Sequence, residues 1–308
     1  MAKSYWRKRE EEHARQRVKD EKKQLKRLMK KHDEAIEEIE EQIAAFYGRY
    51  ASKEGITVEE ARKRVAKADI KKYRRKAKKY VKEKDFSKRA NEEMRLYNVT
   101  MRINRLQLLK ANINLELVAL TNEEAKDLEE ALTELARKEY ERMSAILGYT
   151  VQYKAKDIKE LVDSSFLTAN WSERIWDNQD ALRSELDRLI SRGIVQGKGS
   201  EELARDLRKT FNKGIYNTER LMVTEMTRVE TQVHKNILED AGIEEYEFIA
   251  KIDSRTSDEC RRLDGKVFKV KDLEYGENAP PVHPNCRSSI APHIDRDEWE
   301  KELKERGL

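Results

Sequence analysis

Apolar residues fall at Leu25, Met29, Ile36, Ile39, Ile43 and Phe46, with His32 in the remaining slot of a 4-3 alternation. Neither glycine nor proline interrupts the chain before Gly48, so this spacing predicts an amphipathic or coiled-coil helix over that whole stretch. His32 reads as a member of the packing stripe rather than as a ligand. Thr57 with Glu59 and Glu60 marks a further helix start. From 91 to 147 the helical pattern continues through Met94, Tyr97, Met101, Leu106, Leu109, Ile113, Leu117 and Leu120. Thr121-Asn122-Glu123-Glu124 predicts a capped restart, and Leu128, Leu132, Leu135 and Tyr140 carry the next stripe to Gly148.

The periodicity loosens over 148–169, and a domain boundary is placed there. Asn170-Trp171-Ser172-Glu173 opens another helix, with Ile175, Leu182, Leu186 and Leu189 on one face. Gly193, Gly197 and Gly199 predict a turn, after which Ser200 caps a short helix carrying Leu203, Leu207 and Phe211. No strand precedes these glycines and no Gly-Lys-Ser/Thr ending follows, which excludes a phosphate loop. A helix from Asn217 to Ala241 has Met222, Met226, Val229, Val233 and Ile237 as its core stripe and Gly242 as its stop. The period then changes to two. Tyr246, Phe248, Ala250 and Ile252 alternate with more polar neighbours, and Val267–Val270 forms a second short strand after a turn at Leu263-Asp264-Gly265.

The expected fold is therefore mostly α with a small α+β C-terminal module: long N-terminal helices, then helices packed on a short antiparallel sheet. Residues 1–150 read as an elongated, basic helical domain, 151–294 as the α+β domain, and 295–308 as a polar tail.

Composition refines this picture in three ways. The 308 residues carry a formal charge of +5, but the excess is local. Between Arg62 and Arg89, basic residues including Lys71, Lys72, Arg74, Arg75, Lys78 and Lys79 far outnumber acids, with Tyr73 and Tyr80 seven apart. Such a stripe suits a nucleic-acid backbone, or equally a solvated helix face. No apolar run approaches the roughly 18–20 residues of a membrane span. The basic N-terminus has no apolar core behind it, so no secretory signal is expected, and two cysteines make no disulfide framework, which points to a reducing compartment.

Both cysteines and all four prolines lie after Asp253. Cys260, His283 and Cys286 can supply three of four ligands to a tetrahedral zinc ion, with His293 or Asp253 as the fourth. Two other readings fit the same residues: a metal-free core built on buried thiols, and a Cys260–Cys286 disulfide. Glu225 reads as one half of a structural Glu–Arg pair.

These segments also carry a resemblance. Asp253-Ser-Arg255-Thr256, Cys260-Arg-Arg-Leu263-Asp264-Gly265 and His283-Pro284-Asn-Cys286-Arg287 resemble the signature of the tailed-phage head-morphogenesis proteins, the Mu F-like minor head protein family. The helix with Arg220, Thr224, Glu225 and Arg228 is similar to that family's Arg-Thr-Glu helix, and the resemblance covers about 165–292. Many members show Cys-x-x-Cys in the first segment and Cys-Arg-Cys in the last, whereas this chain has Ser257 and Ser288 at the outer positions. The resemblance implies a virion protein of the head and portal vertex, assembled in the host cytoplasm. Its implied partners are the portal protein, scaffold and major capsid protein, and DNA. An alternative class is a metal-dependent nuclease or transferase using Glu225, Asp253, Asp264 and His283, and another is a general nucleic-acid-binding helical protein. No positioned nucleophile or paired-carboxylate cluster supports the enzyme.

Overall fold

The computed structural model describes residues 4–50, 105–148, 153–165, 169–196 and 198–294. The basic stretch at 62–89, with its DNA-binding candidates, the apolar positions before Arg105 and the 295–308 tail lie outside the described residues. The described elements are α1 (Tyr5–Tyr50), α2 (Arg105–Leu147), α3 (Ala155–Asp163), α4 (Trp171–Val195), α5 (Ser200–Asp240), β1 (Glu245–Ile249), α6 (Asp258–Leu263), β2 (Val267–Lys269), a 3-10 turn (Val270–Asp272) and β3 (Ser289–Pro292). The chain is thus mostly helical with a small C-terminal sheet, as the periodicity requires. No helix among the described residues is long and apolar enough to cross a membrane.

Two breaks expected from the sequence are absent. The restart at Thr121 does not occur, because the Thr121 hydroxyl donates to the carbonyl of Leu117, 2.8 Å away, inside the continuous helix α2. A threonine that bonds back to the preceding turn leaves the helical ladder intact. The two helices expected on either side of Gly214 are one helix, α5. A Cβ at Gly214 would lie 3.3 Å from Leu182, so the glycine serves close packing rather than a stop. The expected turn before Ser200 is present, but it begins after Val195; Gly193 lies in the last turn of α4, where a Cβ would meet Leu203 at 2.8 Å.

One helix was not expected. In the loosely patterned stretch, α3 buries Ile158, Leu161 and Val162, and Asp157 accepts the backbone N–H of Lys154 at 2.8 Å. The predicted start of α4 is present as a reciprocal capping box, in which the Asn170 side chain accepts from Glu173 N and the Glu173 carboxylate from Asn170 N.

Two compact units are assembled from non-contiguous segments. One comprises Arg27–Ala125 and Ile175–Asn217. Its core contains Ile36, Ile39, Ile43, Ile113, Leu117, Leu186, Ile190, Leu207 and Phe211. His32 sits in this seam, paired with Glu124 and edge-on to Phe211. Met29 does not join it: Met29 is 45 % exposed and Leu28 is buried in its place, which moves the stripe toward the 3.6-residue period of a straight helix.

The other unit comprises Met1–Lys26, Lys126–Arg174 and Thr218–Leu308. Its sheet has the order β2-β1-β3, antiparallel throughout, with Tyr246 opposite Phe268 and Phe248 opposite Ile290. The third strand was not anticipated, since Ser289-Ile290-Ala291-Pro292 does not alternate. All four of its residues are buried. Tyr246, Phe248 and Ala250 point inward as their period predicts, but β1 ends at Ile249 and Ile252 is exposed. Val270 leaves the second strand to begin the 3-10 turn.

Candidate functional site

The signature segments fold into one body at the C-terminal end of β1. Asp253 caps its own turn: its carboxylate accepts the N–H of Arg255 at 2.7 Å. The Thr256 hydroxyl accepts from Asp253 N at 2.6 Å and donates to the carbonyl of Lys251 at 2.7 Å. This is the local side-chain-to-backbone bonding that Asp and Thr supply in turns. Ser257 then caps α6, accepting from Cys260 N at 3.2 Å. The helix ends where Asp264 turns its carboxylate back to Ala250 N, 2.9 Å away. Gly265 follows with φ +75°, in the left-handed region, and donates its N–H to Phe248 O at 2.8 Å. Leu263 packs on the cluster formed by Phe248, Ala250, Cys260 and Cys286.

Arg7 of α1 locks this turn from outside. Its guanidinium donates two bonds to Asp264, at 2.6 and 2.8 Å, and one to Glu247 at 2.7 Å. Burial works against the charge, but the two carboxylates more than offset it and raise the pKa of Arg7. Arg255, in contrast, leaves its side chain in solvent, and its nearest carboxylate contact is 4.0 Å from Asp253.

Helix α5 holds the second segment. Thr224 accepts the N–H of Asn285 at 2.8 Å, and one turn later Thr227 donates to the carbonyl of Cys286 at 2.7 Å. Between them Glu225 faces the other way, fully buried, with Arg228 Nε 2.7 Å and Arg174 Nη1 3.4 Å from its oxygens. The rest of the Arg228 guanidinium donates to the carbonyls of Leu161 and Val162 and to the Ser164 hydroxyl, which pins the end of α3. The Arg-Thr-Glu helix is thereby a clamp with two faces.

Residues 184–291 match the family described as Phage Mu protein F like protein. The matched stretch runs from within α4 to β3 and contains every signature residue named above, so the family read from the motifs is the family found. No curated protein and no solved structure matches the chain.

At the centre of the Mu F-like segment, Cys260 Sγ lies 3.3 Å from His283 Nε2 and 3.7 Å from Cys286 Sγ. Both cysteines are free thiols and buried. His283 Nδ1 faces the Pro284 carbonyl at 2.9 Å, so Nδ1 carries the proton and Nε2 turns its lone pair to the sulfur. Two sulfurs this close titrate unequally. Cys286 is held low, first by its hydrogen-bonding contact with Cys260, while Cys260 is pushed up by Cys286 and by burial. Ser257 and Ser288 line the same small cleft as Cys260, His283 and Asp253. His293 is exposed and contributes its backbone N–H to Glu245 O.

Sequence reasoning missed a second polar cluster in the unit that carries the Mu F-like sheet. Arg17 pairs with Glu230 and donates to the carbonyl of Arg287, and Arg287 itself bonds Glu21 at 2.7 Å. His13 lies 3.3 Å from Glu230 and 3.4 Å from Glu139. Arg142 bridges Glu10 and Glu139 at 2.6 and 2.5 Å. His234 donates from Nδ1 to the Ile290 carbonyl at 2.9 Å and from Nε2 to Glu139. The Arg142 guanidinium also approaches Nε2, at 3.2 Å. Burial would lower the pKa of His234, but Glu139 prevails and raises it. Glu10, Glu230 and His234, and likewise His13, Glu139 and Glu230, are within metal-ligand reach of one another. Arg17 and Arg142 already supply the positive charge there. The signal in the sequence was Glu10 to His13 and Glu230 to His234, spaced to share a helix face.

Of the residues proposed for an enzyme, Asp253 and His283 line one cleft, whereas Glu225 and Asp264 lie elsewhere. Glu225 and Asp264 are each closed in arginine pairs, and Asp253 is engaged by its own turn.

Proposed function

We propose that this protein is a minor head protein of a tailed phage, acting by binding in head morphogenesis rather than by turnover. The observation that carries the reading is the match of 184–291 to a phage protein family, on the stretch that holds the whole signature. The roles of the signature residues support it. Asp264, Thr224, Thr227, Glu225 and Arg228 each hold two segments together, and Asp253 and Thr256 fix the turn between them, as residues of a rigid docking body do. The finer reading places the protein at the portal vertex of the virion head, after assembly in the host cytoplasm. The portal protein is its principal partner, scaffold and major capsid protein are neighbours, and DNA is bound by the basic stretch at 62–89.

Co-expression of the full chain with its cognate portal protein tests this. The expected result is a complex that survives size-exclusion chromatography, and deletion of the gene is expected to give particles that assemble but infect poorly. Normal infectivity of the deletion phage overturns the role. Loss of a measurable turnover on changing Glu225 or His283 in a folded protein promotes the enzyme instead.

A further inference from the structure

We infer that Cys260, His283 and Cys286 form a mononuclear zinc site with a water molecule as the fourth ligand. The inference stands apart from the head-protein reading. Its first support is metric. Zinc–sulfur bonds of about 2.3 Å and a zinc–nitrogen bond of about 2.0 Å at tetrahedral angles place sulfur about 3.8 Å from sulfur and about 3.5 Å from nitrogen. The separations here are 3.7 and 3.3 Å, and the three donor atoms all lie within 4.8 Å of one another. Two edges of the ligand triangle thus have their tetrahedral lengths before any ion arrives.

The second support is the shell around them. A metal-bound histidine typically donates its other ring N–H to a carbonyl or carboxylate, which fixes the tautomer. His283 does so to Pro284. The peptide of Cys286 is held by Thr227, and Cys260 is fixed by the Ser257 cap. The backbone at both cysteines and the tautomer of His283 are therefore set before binding.

The third support is the open corner. Cys260 and His283 face a cleft of about 30 Å³ whose walls include Asp253, Ser257 and Ser288. That volume admits a water with polar partners. Ser257 and Ser288 are poor zinc ligands beside a thiolate, so their place at the cleft suits contacts to that water. A disulfide needs the sulfurs at about 2.0 Å, well inside their present separation. Binding converts two thiols to thiolates and releases their protons, with no redox change.

The test uses the full chain, reconstituted with zinc and with cobalt(II) as a spectroscopic stand-in. Expected are a single zinc per chain after dialysis and, for cobalt, intense visible bands of a tetrahedral ion with thiolate charge-transfer bands in the near ultraviolet. Both should be lost in Cys286→Ser and reduced in His283→Asn. Thiol titration of the native wild type should show both cysteines protected with zinc and reactive after a chelator. This last readout needs no variant, so a misfolded Cys286→Ser does not blunt the test. Cobalt bound without thiolate bands, metal content unchanged in Cys286→Ser, or thiols as reactive with zinc as without it each overturn the site.

Discussion

The hydroxyl of Thr227 donates to the carbonyl of Cys286 across 2.7 Å, and this bond ties the middle of α5 to the peptide that carries the second cysteine. Thr224, one turn earlier, holds the preceding peptide through Asn285 N. Thr227→Val keeps the shape of the side chain and removes the donor. The Cys286 carbonyl is then buried without its partner, at an expected cost of about 1–3 kcal/mol. Urea unfolding with an unchanged slope and a lower midpoint would agree, and an unchanged midpoint would show that the clamp contributes nothing.

Arg228 is among the largest fully buried side chains and makes four bonds, to Glu225, Leu161, Val162 and Ser164. Arg228→Met leaves the Glu225 carboxylate buried with only the more distant Arg174. Breaking such a pair from one side costs about 3–5 kcal/mol. Arg228→Met combined with Glu225→Leu is expected to recover part of that loss. A double-mutant cycle measures the recovery, and additivity of the two single changes would contradict the pairing.

The buried cluster of His13, Glu139, Glu230 and His234 makes stability depend on pH from both sides. The pKa values of His13 and His234 are raised above their ordinary 6.5 in the folded protein. Their stabilisation is therefore complete below 6.5 and lost as pH rises through the folded values. Glu230 is lowered from 4.5 to about 2, with Arg17 and His13 prevailing over burial. Its contribution is present above 4.5 and lost as pH falls toward 2. The thermal midpoint should peak between those limits, in mildly acidic buffer. His234→Gln should flatten the alkaline side, and an identical slope in this variant would mean that another group titrates there.

Gly265 has φ +75° and closes the turn between α6 and β2. Gly265→Ala puts a Cβ on a left-handed residue, at an expected cost of about 1–2 kcal/mol. Its nearest neighbours, Arg7 Nη1 and Glu247 Oε1, are 3.7 and 3.9 Å from that position. The penalty should thus be conformational rather than steric, and Gly265→Asn should cost less than alanine. Equal losses in the two variants would point to crowding instead.

If the stretch at 62–89 binds DNA, neutralising phosphates releases counterions and affinity falls steeply with salt. Replacing Lys71, Lys72, Arg74 and Arg75 with glutamine should weaken binding and flatten the slope of log affinity against log salt. Absence of DNA binding by the unaltered protein at low salt would leave this stretch as a solvated or protein-facing surface.

The sequence by itself determined the elements whose signals are local. The alternation at Tyr246–Ala250, the Asn170–Glu173 capping box, the turn at Gly265 and the long glycine- and proline-poor helices depend on neighbours a few residues away, so a linear reading finds them. It also singled out Cys260, His283 and Cys286 together. Tertiary structure decided everything that rests on partners far along the chain. The stretches on either side of Gly214 read as separate helices, but the glycine gives one packing helix room, and a packed face outweighs the roughly 1 kcal/mol that an internal glycine costs. β3 has no alternation to announce it because both of its faces are covered, so no residue in it needs to be polar. The buried ion network pairs Arg17 with Glu230 and Arg7 with Asp264, more than two hundred residues apart. A charged residue on an amphipathic helix looks the same in sequence whether it faces water or a carboxylate. Only the fold, by bringing Glu139, Glu230 and His234 into one dry interior, turns those charges from solvated surface into structure.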